Sequence, residues 1–260
     1  MNYNPFNQHI TPSPRGGTGW GLPGLSGWGL PGLPGLSGLS GLLFLLFMLF
    51  SACTSSDYDT GDGKYSYLIG EFGHVYTNNE AKITRLVTDQ GDEVPFAQPV
   101  ERDWAATPDS LYRAYVQYEQ KADSKGCYRM FNVAQVLVLN PYDRDELKEE
   151  PKFDPVGWES MWVSPDHRYL NLSLQLMFGT TDEEKLLQRI GLLRTSTVNR
   201  DDGTSELNLQ LYHDQNGVPQ YYTSTVYVSI PLDGLSEGDE LVLTINTYQG
   251  EVTRRYTIAP

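Results

Sequence analysis

From Leu170 to Leu176 every second residue is leucine, and the residues between are Asn171, Ser173 and Gln175. Successive side chains of an extended chain point to opposite faces, so this alternation builds a strand with one oily and one polar face. A helix would scatter the same leucines around its circumference. One strand cannot bury a leucine face alone; it needs sheet neighbours and a second layer against that face. The chain supplies them. LNLQLYHDQNGVPQYYTSTVYVSIPL places Leu207, Leu209 and Leu211 on one face, turns at Asp214 to Gly217, and returns with Val226, Val228 and Ile230. LVLTINTYQGEVTRRYTI ends the chain as a hairpin through Gln249-Gly250. These strands predict a β-sandwich over residues 155–260. EEKLLQRIGLLR, residues 183–194, fits either a short helix or one more strand, with strand preferred.

A separate set of strands precedes it. YSYLIGEFGHVYT, AKITRLVTDQGDEVPFA, LYRAYVQYEQ and CYRMFNVAQVLVL are divided by the turn signals Asp89-Gln90-Gly91-Asp92 and KADSKG. Tyr112, Ala114, Val116 and Tyr118 share one side of their strand. Several strands in so short a span predict a small barrel of the OB type over residues 65–142, with Cys127 opening a strand as a packing residue. The charged, proline-bearing PYDRDELKEEPKFDP has no apolar period and predicts a linker over residues 143–154. The whole is an all-β chain.

The first 52 residues are of another kind. They hold 11 of the 25 glycines, one arginine (Arg15), and no aspartate, glutamate or lysine. GWGLPGLSG at residues 19–27 recurs as GWGLPGLPG at 27–35; glycine and proline at that density sustain neither helix nor strand, so residues 1–41 read as disordered. LLFLLFMLF, Leu42 to Phe50, falls well short of the roughly 20 apolar residues a membrane-spanning helix needs, which favours a signal-peptide core over an anchor. Phe50-Ser51-Ala52-Cys53 resembles the lipobox of bacterial lipoproteins. That resemblance implies removal of residues 1–52 and lipidation of Cys53, whose acyl chains would hold the protein to a membrane. TSSDYDTGDG follows as a solvated tether over residues 53–64. Its Asp57, Asp59 and Asp62 lack the third ligand and the closing glutamate of a calcium loop. The same acidic residues resemble export signals that send some Bacteroidota lipoproteins to the cell surface.

Beyond the leader the chain carries 18 basic and 33 acidic side chains, a net charge of −15. Such a body repels phosphate backbones, so nucleic acid is not an expected partner. No HExxH, GxSxG, phosphate-cradling glycine loop or Cys/His metal spacing occurs, so no catalytic residue, cofactor or metal is expected. His213-Asp214 precedes the Gln-Asn-Gly turn, where a turn-stabilising aspartate is the simpler reading than a polar dyad. Trp104, Trp158 and Trp162 could form a stacking platform for a sugar or peptide, or could pack in cores. Asp109-Ser110-Leu111 resembles the short O-glycosylation motif of Bacteroidota, which makes Ser110 a candidate glycan site.

DPVGWESMW, RYLNLSLQL, LNLQLYHDQNGVPQYY, VYVSIPL and LTINTYQG together resemble the NigD-like lipoproteins of Bacteroidota, over roughly Cys53 to Ile258 and most specifically in the C-terminal half. The resemblance implies a lipobox, an acidic tether, an N-terminal OB domain and a C-terminal β-sandwich. The family takes its name from a bacteriocin gene cluster and implies no defined biochemical activity. The expectation is a non-enzymatic, lipid-anchored protein of the outer membrane, on its periplasmic or cell-surface face. It would present two β domains to an envelope protein; bacteriocin protection and surface glycan binding or hydrolysis are the alternatives.

Overall fold

A computed structural model describes residues 67–180 and 186–259. The leader, the lipobox with Cys53 and the whole tether lie outside the described residues. The regular secondary structure of the described residues is nearly all strand.

The first body has five strands: β1 (Leu68–Thr77), β2 (Lys82–Thr88), β3 (Glu93–Glu101), β4 (Leu111–Glu119) and β5 (Met130–Gln135). Their order is β3-β2-β1-β4-β5, and each neighbouring pair is antiparallel. A parallel bridge between Phe96 and Tyr128 brings the two ends of this order together. There the Tyr128 N–H donates to the Pro95 carbonyl and the Ala97 N–H to the Tyr128 carbonyl, each at 2.8 Å. The sheet therefore curls into a partly closed barrel of the OB type. Register shifts in β1–β2, β2–β3 and β4–β5 supply the bending. Gly73 permits the tightest approach to another strand's backbone: a Cβ there would stand 2.2 Å from the Val87 carbonyl oxygen. Ala114, Val116 and Tyr118 of β4 fill the interior with Val75, Ile83 and Leu86, as the alternation predicts. Cys127 differs from expectation. It lies in the turn before β5, its N–H donating to the Asp123 carboxylate at 2.9 Å, because that aspartate closes the KADSKG turn around it.

The second body comprises β6 (Leu137–Val138), β7 (Pro141–Tyr142), β8 (Gly157–Val163), β9 (Tyr169–Phe178), β10 (Arg189–Asn199), β11 (Ser205–Asp214), β12 (Tyr222–Pro231), β13 (Glu240–Thr247) and β14 (Gly250–Thr257). One sheet runs β14-β13-β11-β10-β7 and the other β6-β12-β9-β8. Leu170, Leu172, Leu174 and Leu176 are 0% exposed between them, against Leu192, Leu209, Leu241 and Leu243 of the facing sheet. At about 25 cal/mol per Å² of apolar surface removed from water, this layer is the main source of stability. The stretch expected as helix or strand is strand from Arg189 onward.

The chain leaving the barrel does not pass straight into a linker. β6 pairs with β12 in one sheet and β7 with β10 in the other, so residues 137–142 hydrogen-bond within the sandwich. The charged stretch that follows is fastened rather than free. Asp143 and Glu146 form a reciprocal capping box, Phe153 bridges His213, and the Asp154 N–H donates to the His213 carbonyl at 2.9 Å.

Candidate functional site

The residues that do not fill either core converge where the barrel meets the sandwich. On β1, Gly73 and Val75 face the barrel interior, so Phe72 and His74 face out. On β4, Ala114 and Val116 face in, so Arg113 and Tyr115 face out. The same alternation puts Asn171 and Ser173 of β9, and Tyr227 and Ser229 of β12, on the side of their sheet away from the leucine layer. These two outward faces meet.

Arg113 is the centre of the contact. Its two terminal nitrogens grip both carboxylate oxygens of Asp89, Nη2 to Oδ2 at 2.7 Å. Nη2 also donates to Asn171 Oδ1 and Nε to Ser229 Oγ, each at 3.2 Å, while Ser229 Oγ donates to Asn171 Oδ1 at 2.7 Å. The guanidinium lies 4.2 Å from the ring centroid of Tyr169. All of this is out of water: Arg113 is 4% exposed, Asp89 6%, and Asn171 and Ser229 0%. Burying two charges is costly, and the two-pronged pairing together with the two further guanidinium hydrogen bonds offsets it. Asp89 reaches the position because the turn after β2 holds it, its N–H donating to the Phe72 carbonyl at 3.0 Å and Gly91 taking φ 90°.

Beside the ion pair, His74 Nε2 lies 3.1 Å from the Tyr169 hydroxyl. Burial holds its pKa below the usual 6.5, and the Arg113 and Arg168 cations push the same way. On the other side four half-buried rings close the seam. Phe72 meets Trp162 at 5.3 Å and Tyr227 at 5.1 Å, both edge-on, and Tyr115 lies 4.9 Å from Phe72 and 5.3 Å from Tyr227. Glu159 takes hydrogen bonds from Ser173 Oγ and from Gln175 Nε2. The carboxylates here are already occupied by cations, hydroxyls or amides. Chemically, the seam holds two bodies in one orientation. Among the described residues no cluster of three or more His, Cys, Asp or Glu is placed to hold a metal ion, and no helix is long and apolar enough to cross a membrane.

The three tryptophans lie in three different surroundings. Trp104 sits in the 3-10 turn Asp103–Ala105, edge-on to Tyr112 at 5.9 Å and against the barrel core. Trp158 packs against the sandwich core with the Arg254 guanidinium 5.7 Å from its ring. Trp162 belongs to the seam. Trp158 and Trp162 are four residues apart on β8 and would share a face of a regular strand. The register shift between Trp158 and Ser160 sets Trp158 opposite Leu174, on the core side, and Trp162 opposite Asn171, on the seam side.

Ser110 stands just before β4, half-buried, its Oγ donating to the Pro108 carbonyl at 2.8 Å and its N–H to Thr77 Oγ1 at 2.9 Å. Asp214 holds the turn before β12, accepting from the Asn216 N–H at 2.8 Å, with Asn216 and Gly217 at positive φ. His213 is buried between Gln188 Oε1, 2.9 Å from Nε2, and the Asp154 carbonyl, 3.3 Å from Nδ1; burial lowers its pKa. The residues the sequence does not single out are Arg113, Asp89, Asn171 and Ser229. Each stands at a polar position of an alternating strand or in a turn, where a solvated side chain looks the same.

Residues 139–259, from β7 to the last strand, match the family described as NigD-like C-terminal beta sandwich domain. The chain carries a NigD-like sandwich. This agrees with the likeness read from its residues, and β6 lies just ahead of the matched span. No curated protein matches the chain. Among solved structures, a NigD-like immunity protein from Bacteroides caccae is similar at 19% identity, covering 73% of this chain and 97% of its own, with a TM-score of 0.52. A toxin-related protein from Parabacteroides distasonis is similar at 19% identity, covering 74% and 93%, with a TM-score of 0.50. Both share the fold, and their alignments extend ahead of the NigD-like sandwich into the barrel region.

Proposed function

We propose that this chain is a lipid-anchored envelope protein whose barrel and NigD-like sandwich act as one rigid, non-catalytic head for binding or assembly at the outer membrane. The observation that carries the reading is the buried Arg113–Asp89 pair, locked to Asn171 and Ser229 of the other body. A head fixed in this way presents loops and strand edges in constant relative positions, which lowers the ordering cost of engaging a macromolecule. The Phe50-Ser51-Ala52-Cys53 segment supports the anchor, and the acidic tether supports display on the cell surface. Ser110, half-buried at the end of the exposed Thr107–Asp109 turn, remains a candidate glycan acceptor.

The test has two parts. Mass spectrometry of the mature protein from membranes should find an acylated N-terminal Cys53; an unmodified cysteine still joined to Ala52 would remove the anchor. Crosslinking on intact cells, followed by identification of what is captured, should recover the same partner from wild-type protein and much less from Arg113→Ala. Equal capture from both would separate binding from the fixed seam.

The likeness to the Bacteroides caccae immunity protein favours a second reading, protection against a toxin by masking its target. Deleting the gene should then sensitise cells to a toxin, and unchanged killing would dismiss it. Surface glycan capture is the weaker alternative, because its three tryptophans do not share a platform.

A further inference from the structure

Strand β10 is eleven residues long, but its outer neighbour β7 covers only Leu192 and Leu193. The capping box at Asp143–Glu146 turns the chain away at that point, with Asp143 pinning Arg194 at 3.1 Å. Beyond it, Ser196-Thr197-Val198-Asn199 pairs with β11 on one side, Thr195 standing at the register shift, and among the described residues no strand flanks the other. Every residue from Arg194 to Asn199 is exposed, and Val198 is 49% exposed although it is apolar.

An open strand edge is a template for another strand, and proteins ordinarily blunt it with charge, proline or a bulge. Three of the other edges are blunted in those ways. β14 carries Glu251, Arg254 and Arg255, β3 carries Pro95 and Pro99, and β8 is broken by its register shift. The β10 edge has a register shift only at its start, between Arg194 and Ser196, and then runs on with no charge and no proline. Thr and Val favour extended backbone.

We propose that this edge pairs antiparallel with the same edge of a second copy, about a two-fold axis at Thr197, joining the two sandwiches through one continuous sheet. The chemistry favours a second copy over an unrelated acidic or basic segment. Residues 195–199 carry no charge, so a strongly acidic chain can meet itself there without placing carboxylates opposite each other. Thr197 would face Thr197, Ser196 would face Val198, and Thr195 would face Asn199, which are pairs of small and β-branched residues. Arg194 and Arg200, which would come opposite each other, are already neutralised by Asp143 and by Glu206 and Glu240. A two-fold contact of this kind is self-closing and does not propagate into fibres.

The test uses the full chain in detergent. Sedimentation velocity over a concentration series should show a dimer, and Thr197→Lys should weaken it by about tenfold or more. At concentrations where both proteins are monomeric the melting temperature should be unchanged, because Thr197 lies on an exposed edge. At dimer-forming concentrations the wild type should melt higher. Single cysteines placed at 195 to 199 in a Cys127→Ser background should form an intermolecular disulfide best at 197, falling off on both sides. A chain that is monomeric throughout, a dimer indifferent to Thr197→Lys, or crosslinking that is flat across the five positions would each overturn the proposal. So would an unrelated extended peptide that occupies the edge and is competed by no second copy.

Discussion

The two faces of β9 are both buried, and they are buried by different means. Its leucines are sealed by strands of the same sandwich, through contacts that any apolar side chain of suitable shape could make. Its polar residues are sealed by the barrel, and the Asn171 carbonyl oxygen is satisfied only because Arg113 of β4 and Ser229 of β12 arrive in fixed positions. Apolar burial asks for volume, whereas polar burial asks for named partners at hydrogen-bonding distance. The first face makes the sandwich stable; the second makes the orientation of the two bodies specific.

Breaking the polar face should give the largest effect. Arg113→Ala leaves Asp89 buried without a counter-charge and should cost about 3–5 kcal/mol in urea unfolding. Replacing Arg113 by Met and Asp89 by Leu together should cost less than Arg113→Ala alone, which would locate the loss in the stranded charge. If the single substitution were harmless, the seam would not be holding the two bodies. On the apolar face, Leu172→Ala should cost about 3 kcal/mol, within the range for a sealed leucine, and no second substitution across the seam should rescue it.

Acid should act on two buried histidines, His74 at the polar face and His213 beneath the chain at Asp154, in a graded way. His74 and His213 both titrate below the ordinary 6.5 in the folded chain because they are buried. The unfolded chain therefore binds their protons more readily. Their contribution to stability is complete above pH 6.5 and is lost as pH falls through the lower folded values. Melting temperatures measured from pH 8 to pH 5 should fall. His74→Phe should flatten part of that fall, and an unaltered slope would assign it to His213. The smallest effect belongs to a face that neither body covers. Glu206, paired with Arg200 and Arg255, titrates near about 2, its hydrogen bond to Arg255 being the leading cause. Its contribution is present above the ordinary 4.5 and lost only as pH falls through that low value. Glu206→Gln should barely move the melting temperature near neutral pH.

The same contrast explains what could be read in advance. The leucine period of β9, the Tyr112 to Tyr118 alternation of β4 and the turns at Gly91 and Asn216-Gly217 are local signals found where the sequence puts them, and the last hairpin turns one residue earlier than expected, at Tyr248-Gln249. Arg113 sits at a polar position of its strand in both readings. Nothing within several residues tells a solvated arginine from one that will meet Ser229, 116 positions later. Two-residue strands such as β6 and β7 are too short to show a period, which is why residues 137–142 read as the tail of the barrel. The separation of Trp158 from Trp162 depends on one extra residue in β8, and a bulge leaves no compositional mark.

Those short strands carry a consequence of their own. Within six residues the chain is stitched first into one layer and then into the other, at a common margin. A gene fragment beginning at residue 143 would encode a sandwich unlaced along that margin, with hydrogen-bonding groups of β10 and β12 left bare. A fragment beginning a few residues earlier would bring its own lacing. Any shuffling event that moved this module intact between proteins would have had to cut upstream of Leu137, inside what looks like its neighbour.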